Sequence, residues 1–223
     1  MKRFLTILAL VFATATVANA QIGIIGGFTS SKANADLNNL KGELKNVSLY
    51  HAGVAYKVEL GNFFVLQPQL AYQVKGTTLD ETIKGTDIDI NSFQTKTGFV
   101  ELSLGLQAGV DLMAFRPFAL VEPFVGYAVT GTENFADADG KYTVDTFSKG
   151  INEAKNKLEY GFGVGGGVEL LNHVQVSVQW FMNLGKLYDN DKLVADPATA
   201  IASADLKNLS NYQGIKVTVG LFF

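Results

Sequence analysis

The 223-residue chain contains no cysteine, and that absence alone excludes several classes of protein. Disulfide scaffolds, thiolate metal sites and thiol-dependent enzymes all need cysteine side chains. Charge is also scarce, because Asp, Glu, Lys and Arg make up 17% of the residues, against about 25% in soluble domains. The formal net charge of -3 provides no basic footprint for nucleic acid. This composition raises the question of whether the folded protein is surrounded by water on all sides.

The first twenty residues have the organisation of a secretory signal peptide. Lys2 and Arg3 precede an apolar run over 4–17, and Ala18-Asn19-Ala20 supplies the small residues of a cleavage site. The run is shorter than the ~20 apolar residues that a transmembrane helix needs. We therefore expect residues 1–20 to be a signal peptide and residues 21–223 to form one exported domain.

Eight stretches of the remaining chain alternate in polarity with a period of two, which predicts β-strands. In the last stretch every odd position from Ile215 to Phe223 is apolar, whereas Lys216 falls on the opposite face. The predicted strands cover residues 22–30, 50–59, 64–75, 100–111, 119–129, 158–170, 174–185 and 214–223. Short connections at 61–62, 113–117 and 171–173 alternate with long ones at 31–49, 76–98, 131–157 and 186–211, as in a row of hairpins.

Strands with one apolar face fit two kinds of β-barrel, which differ in the face that points inward. The less apolar face here is rich in glycine, including Gly161, Gly163, Gly165 and Gly167. A crowded eight-strand interior needs such small residues, whereas a water-exposed face would be dense in Lys and Glu. We therefore predict an all-β fold, an eight-stranded antiparallel transmembrane up-and-down β-barrel with short periplasmic turns and long extracellular loops. Its expected location is the outer membrane of a Gram-negative bacterium.

Aromatic residues support a lipid-facing apolar surface. With a periplasmic N terminus, one aromatic set falls near the outer ends of the strands, namely Phe28, Tyr50, Tyr72, Tyr127, Tyr160 and Tyr212. Phe64 and Phe223 fall at the opposite ends. Two aromatic girdles around an aliphatic band are typical of membrane interfaces, and β-propensity alone does not explain a shared depth.

Two prolines fall in the middle of predicted strands, on the apolar face. Pro68 and Pro123 each lack the N–H group that a β-ladder uses. We expect local bulges or weak pairing at both positions.

Three segments carry further strand motifs: residues 63–72, residues 99–104 with 116–127, and the terminal strand ending in Phe223. In these segments the chain resembles the porin-like (PorT-like) outer-membrane β-barrel family, whose strand texts look like LQPELLY, YLEIPL and PYLEAGPYVGY. Here Gln69 stands in place of the usual acid and Ser103 in place of a proline. The resemblance implies an eight-stranded barrel, and some relatives are linked to secretion machinery.

Charged residues on the less apolar face are predicted to lie inside the barrel. They are Lys57, Glu59, Lys75, Glu101, Asp111, Glu122, Glu159, Glu169 and Lys216. Because a charge in a narrow lumen has to be paired, we expect a structural polar cluster with Lys57, Lys216 or Arg116 as counter-ions. The alternative is catalytic, since Glu101 and Glu122 on neighbouring strands across a short turn resemble an acid–base pair.

Other candidate sites carry weaker signals. His51 is predicted to face inward near the outer end of its strand and His173 to lie in a periplasmic turn, too far apart to share a metal or a triad. Residues 137–140 lack the remaining ligands of a calcium loop, so a turn is the better interpretation. We expect no enzymatic activity, no cofactor and no metal. Residues 147–158 and 194–209 have helical propensity within the long connections.

The function indicated by these patterns is a structural or interaction role, in which four surface loops are displayed from a filled barrel. The alternatives are binding or transport of a small solute at the barrel mouth, and an enzyme at the outer rim. The terminal Phe223 resembles the signal that the outer-membrane assembly machinery reads, and an unpaired last strand can bind by β-augmentation. The expected partners are outer-membrane lipid, that machinery and an extracellular or envelope protein, with the chain itself a monomer.

Overall fold

The computed structural model describes residues 21–35, 43–80, 92–137, 140–145, 157–185 and 209–223. Within these ranges the regular elements are β-strands. No helix in the described ranges has the length and apolar character needed to cross a membrane. The expected signal peptide lies outside the described residues, as do nearly all of the two stretches with helical propensity.

The predicted eight-stranded antiparallel barrel is confirmed. The strands are β1 (Gln21–Ala35), β2 (Glu43–Lys45), β3 (Val47–Leu60), β4 (Phe64–Asp80), β5 (Ser92–Gly109), β6 (Phe115–Asp137), β7 (Gly140–Asp145), β8 (Leu158–Leu170), β9 (Val174–Asn183) and β10 (Leu209–Phe222). The barrel runs β1-β3-β4-β5-β6-β8-β9-β10, and β10 pairs back with β1. The short strands β2 and β7 pair with β4 and β6 outside this ring.

The strands are longer than predicted at the end where the long connections lie, which we call the loop end. β4 and β5 stay paired as far as Leu79 and Phe93, and β6 continues to Asp137, where the sequence analysis placed loops. These extensions are rich in threonine and polar residues, so they lack the apolar face on which the alternation signal depends. Asp137 pairs with Gly140 in the β6–β7 ladder, and residues 138–139 of the predicted turn lie outside the described residues.

Three short turns and both ends of the described barrel lie at the opposite end, called the turn end. Met113 and Leu171 adopt positive φ values of 65° and 51° there, as do Asn172 and Gly61. The left-handed region costs an L-residue roughly 1–2 kcal/mol, except that Gly and Asn adopt it readily. Leu171 N donates to Ala114 O at 2.9 Å, so the turns after β5 and β8 lie side by side.

Alternation sorts the side chains between lipid and lumen as predicted. In β9, Val178 is 50% exposed on the outer surface, whereas the next residue, Gln179, is 3% exposed in the interior. Ile25 lies on the inner face of β1, where it packs against Ala55 and Phe222.

Both mid-strand prolines interrupt a ladder, which confirms the expected weak pairing. Partners of β3 and β4 run from Ala55 and Gln69 directly to Val58 and Leu66, which skips the rung at Pro68. The β5–β6 ladder likewise lacks partners opposite Pro123. The register is the same on both sides of each gap, so neither proline creates a bulge. The bulge in that second ladder lies instead at 98–99.

Candidate functional site

The barrel interior contains a buried lysine between two carboxylates near the loop end. Lys75 Nζ lies 2.9 Å from Glu101 Oε2 and 2.9 Å from Glu159 Oε1. Asn183 Nδ2 donates to the second oxygen of Glu159 at 2.5 Å. Lys75 is 0% exposed, so its charge depends entirely on these partners. We call these four residues the Lys75 cluster.

A glycine on the strand between Glu101 and Glu159 makes room for the Lys75 cluster inside the barrel. Gly126 of β6 pairs with Glu101 on one side and with Glu159 on the other. A Cβ at Gly126 would lie 2.6 Å from Glu159 Oε1, so glycine leaves the space that the carboxylate occupies. Three phenylalanine rings surround the Lys75 ammonium, with centroids at 5.5 Å (Phe99), 4.2 Å (Phe124) and 5.1 Å (Phe181). Aromatic faces attract a cation, so this cage adds to the charge pairing.

A second polar layer crosses the middle of the barrel around Glu122. Lys216 Nζ approaches Glu122 Oε1 at 2.5 Å, and Gln179 Nε2 donates to the same oxygen at 3.1 Å. Gln69 Nε2 donates to Oε2 at 2.9 Å. The carboxylate therefore has a cation and two amide donors, as a buried charge requires.

A third layer closes the turn end. Lys57 Nζ lies 2.6 Å from Glu169 Oε1, and Arg116 Nη1 lies 3.7 Å from Glu169 Oε2. Arg116 also donates to Gln107 Oε1 at 3.0 Å, and Gln107 donates to Gln67 Oε1 at 2.7 Å. The chain of contacts spans the lumen from β3 to β8.

The three layers together balance their charge and fill the lumen. Among the described residues, the buried cations are Lys57, Lys75, Arg116 and Lys216, and the buried carboxylates are Glu101, Glu122, Glu159 and Glu169. A cavity of about 10 Å³ beside Glu122 and Gln175 has room for about one water molecule. An eight-strand barrel is just wide enough for side chains to fill, and these side chains do so.

Residues 13–189 match the family model described as outer membrane protein beta-barrel domain. The chain belongs to this outer-membrane barrel family. No curated protein matches it. Solved structures that resemble the barrel include Ail, the attachment invasion locus protein of Yersinia pestis, at 12% identity and a TM-score of 0.43, covering 92% of this chain and 100% of that one. Neisserial surface protein A matches at 11% identity and a TM-score of 0.41, with the same 92% and 100% coverage.

Two of the charges assigned to the lumen of this outer-membrane barrel are not there, and both assignments are wrong. Glu59 has a side chain 42% exposed at the turn end, where it lies 3.8 Å from Lys57 Nζ. Asp111 is exposed in the turn after β5, where its Oδ1 accepts a hydrogen bond from Met113 N at 3.1 Å. Glu59 lies at the end of β3 and Asp111 just beyond β5, where the lumen opens and an inward position is no longer enclosed.

The catalytic alternative for Glu101 and Glu122 is also wrong. Glu101 pairs across the ladder with Gly126, four residues along β6 from Glu122. At ~3.4 Å per residue, this register offsets the two backbone positions by roughly 14 Å along the strands. Each has its own lysine, Lys75 and Lys216, so they do not form an acid–base pair.

The two histidines lie where the sequence placed them. His51 is 3% exposed inside the barrel, with Nδ1 3.1 Å from Thr29 Oγ1 and Nε2 3.0 Å from Thr218 Oγ1. His173 is exposed in the turn after β8. Both ring nitrogens of His51 are therefore occupied by structural hydrogen bonds.

One residue of the predicted outer aromatic set does not face outward. Tyr50, Tyr127 and Tyr160 are exposed on the outward face, and Tyr72 is half-buried there with its Oη 2.6 Å from Thr130 Oγ1. The assignment of Tyr212 to this set is wrong. Tyr212 is 1% exposed because it shares the inward phase of Lys216 and lies opposite the small residue Ala33.

Sequence reasoning assigned no role to the rings around Lys75 or to Asn183. Phe124 and Phe181 alternate in phase with the inward residues Glu122 and Gln179, and that phase was the available signal. The phase of a residue does not show what that residue contacts across the lumen. The contacts of Phe124, Phe181 and Asn183 with Lys75 join strands that are not neighbours.

Proposed function

We propose that this protein is a sealed outer-membrane scaffold of a Gram-negative bacterium that displays its four long connections outside the cell. The observation that carries the proposal is the lumen, which three side-chain layers cross and whose buried charges balance over the three layers together. We expect such a molecule to bind its partners at the surface, because loops on a rigid scaffold are the usual place for recognition. We place it among the porin-like (PorT-like) members on the strand motifs around Pro68 and Pro123.

Planar-bilayer recording tests whether the barrel is sealed. Folded protein, verified by heat-modifiable migration, is expected to give no steady unitary conductance, because the buried ion pairs occupy the ion path. An open porin in the same bilayers serves as the positive control. A steady current from the folded wild-type barrel would contradict the scaffold and favour the alternative of small-solute transport.

Epitope insertion tests whether the long connections are displayed outside. A tag between Pro197 and Ala198 is expected to bind antibody on intact cells, because that connection lies at the loop end. The same tag between Gly61 and Asn62 at the turn end is the matched control, and it should bind only after the cells are permeabilised. The reverse pattern would show that the barrel is inserted the other way.

A further inference from the structure

An apolar surface at the turn end projects beyond the barrel wall. The turns after β5 and β8 are joined by the hydrogen bond from Leu171 N to Ala114 O, and the strands beside them end in the pair Phe115 and Leu170. We call the apolar residues of this region the apolar corner, comprising Val110, Leu112, Met113, Phe115, Leu170 and Leu171. All six are exposed in the isolated protein.

Two residues of the apolar corner combine high exposure with a strained backbone. Met113 is 98% exposed and Leu171 is 71% exposed, and both adopt the left-handed conformation that favours glycine or asparagine. The neighbouring Asn172 and the Gly61 of the third turn show the residues that this conformation suits. A large apolar side chain held at such a position with so little packing from its own protein indicates a contact outside the molecule.

We propose that the apolar corner inserts into the membrane leaflet at the turn end, with the boundary between phospholipid headgroups and acyl chains as its partner. The inference rests on the membrane span that the proposed function assumes. Phe115 and Leu170 lie on the outward face of their strands, and Val110 directly follows β5, in continuity with the lipid-facing surface of the barrel. Leu112, Met113 and Leu171 prolong that surface past the last strand pair.

Polar groups in the same two turns bind the turn backbone, which leaves the apolar side chains to define the surface. The Asp111 carboxylate accepts from Met113 N at 3.1 Å. His173 Nδ1 lies 2.5 Å from Leu171 O. The turn between β3 and β4 has glycine at its left-handed position, and Phe63 of that turn is exposed as well.

Single-cysteine labelling tests the proposal, because the chain has no cysteine of its own. Met113→Cys and Leu171→Cys are each labelled with bimane and folded into phosphatidylcholine vesicles whose acyl chains are brominated near the glycerol. Val168→Cys gives the lipid-facing reference, and Asn62→Cys gives the reference for a polar residue in a turn. The labels at 113 and 171 are expected to lose as much fluorescence as the label at 168 and to shift their emission to the blue. The label at 62 should keep its intensity.

Full fluorescence at both 113 and 171, or an equal loss at 62, would overturn the apolar corner as a lipid anchor. Emission at 113 that changes with the protein-to-lipid ratio and not with bromine would assign the surface to a second copy of the chain, which also overturns it. The two labelled turns report independently if one variant fails to fold. Absence of quenching at 168 would instead mean that the membrane span itself is wrong, which separates the two failures.

Discussion

At the scale of single residues, Lys75 is the side chain on which the interior charge balance depends most. Lys75 forms ion pairs with two carboxylates, Glu101 and Glu159, whereas Lys216 pairs with the single carboxylate of Glu122. Removing one partner of a buried ion pair typically costs 3–5 kcal/mol, because the remaining charge stays buried without compensation. Replacing every member by neutral groups of similar volume costs far less.

Lys75→Met is therefore expected to destabilise the folded barrel by about 3–5 kcal/mol, because two carboxylates lose their only cation within the Lys75 cluster. The measurement is the urea midpoint of unfolding from lipid vesicles. Lys96→Met, at a partly exposed position of β5, is the matched control and should change stability by roughly 0.5 kcal/mol or less.

The triple variant Lys75→Met, Glu101→Gln, Glu159→Gln should recover most of the lost stability, because no buried charge remains unpaired in the Lys75 cluster. A triple variant as unstable as Lys75→Met would show that the phenylalanine cage, rather than the charges, determines the effect.

The interior location of Lys75 was predictable from alternation, but its partners were not. Alternation assigns a face to each residue, whereas the contacts of Lys75 join β4 with β8 and β9 across the lumen. Those contacts depend on the relative stagger of strands that never pair, which no local pattern records. Tyr212 fails for a different reason, since its identity suggested the girdle while its phase, shared with Lys216, pointed inward.

At the scale of elements, the sequence of β8 shows most directly how narrow the lumen is. A Cβ at Gly161 would meet Phe124 Cζ at 2.6 Å and would also clash with Met182 O. A Cβ at Gly167 would meet Phe118 Cζ at 2.6 Å. The glycines of β8 therefore leave room for rings from β6, as expected for a crowded interior.

Gly161→Ala is expected to cost about 1–3 kcal/mol through overpacking, since its neighbours include main-chain atoms that cannot move away. Gly26→Ala on the outer face of β1 is the control, because its new Cβ would meet only His51 O at 3.5 Å. Urea unfolding of both variants checks the difference. Equal stability of the two proteins would contradict a tightly packed lumen.

The lengths of the strands show which parts of a strand can be predicted from sequence and which cannot. The membrane-spanning parts were recognised because lipid requires an apolar face, and the interrupted ladders at Pro68 and Pro123 followed from the missing N–H groups. The extensions of β4, β5 and β6 toward the loop end were assigned to loops. Water surrounds both faces of a strand beyond the bilayer, so backbone pairing there is invisible to hydrophobic patterning.

At the scale of the whole molecule, the barrel is closed by the seam between its first and last strands. Gly23 pairs with Phe222, and Phe223 N donates to Ile22 O at 2.8 Å. The Phe223 side chain is 74% exposed, so it contributes little packing to the finished barrel. As an assembly signal, Phe223 would therefore act before the barrel closes.

Deletion of Phe223 is expected to reduce the heat-modifiable barrel recovered from outer membranes, because the assembly machinery loses the aromatic end of the last strand. Purified protein refolding onto vesicles should be nearly unaffected, since one exposed side chain is lost. Phe223→Tyr is the control and should assemble normally. Normal recovery of the deletion variant from cells would contradict the assembly signal.

The seam also sets an order of events in time. Gly23 of β1 pairs with Phe222 of β10, so the seam forms only when the last strand is present. Until that moment the protein carries two open sheet edges, which are templates for pairing with another chain. A molecule truncated anywhere before β10 stays in this state permanently. We therefore expect chains that lack β10 to be degraded rather than recovered as a heat-modifiable barrel.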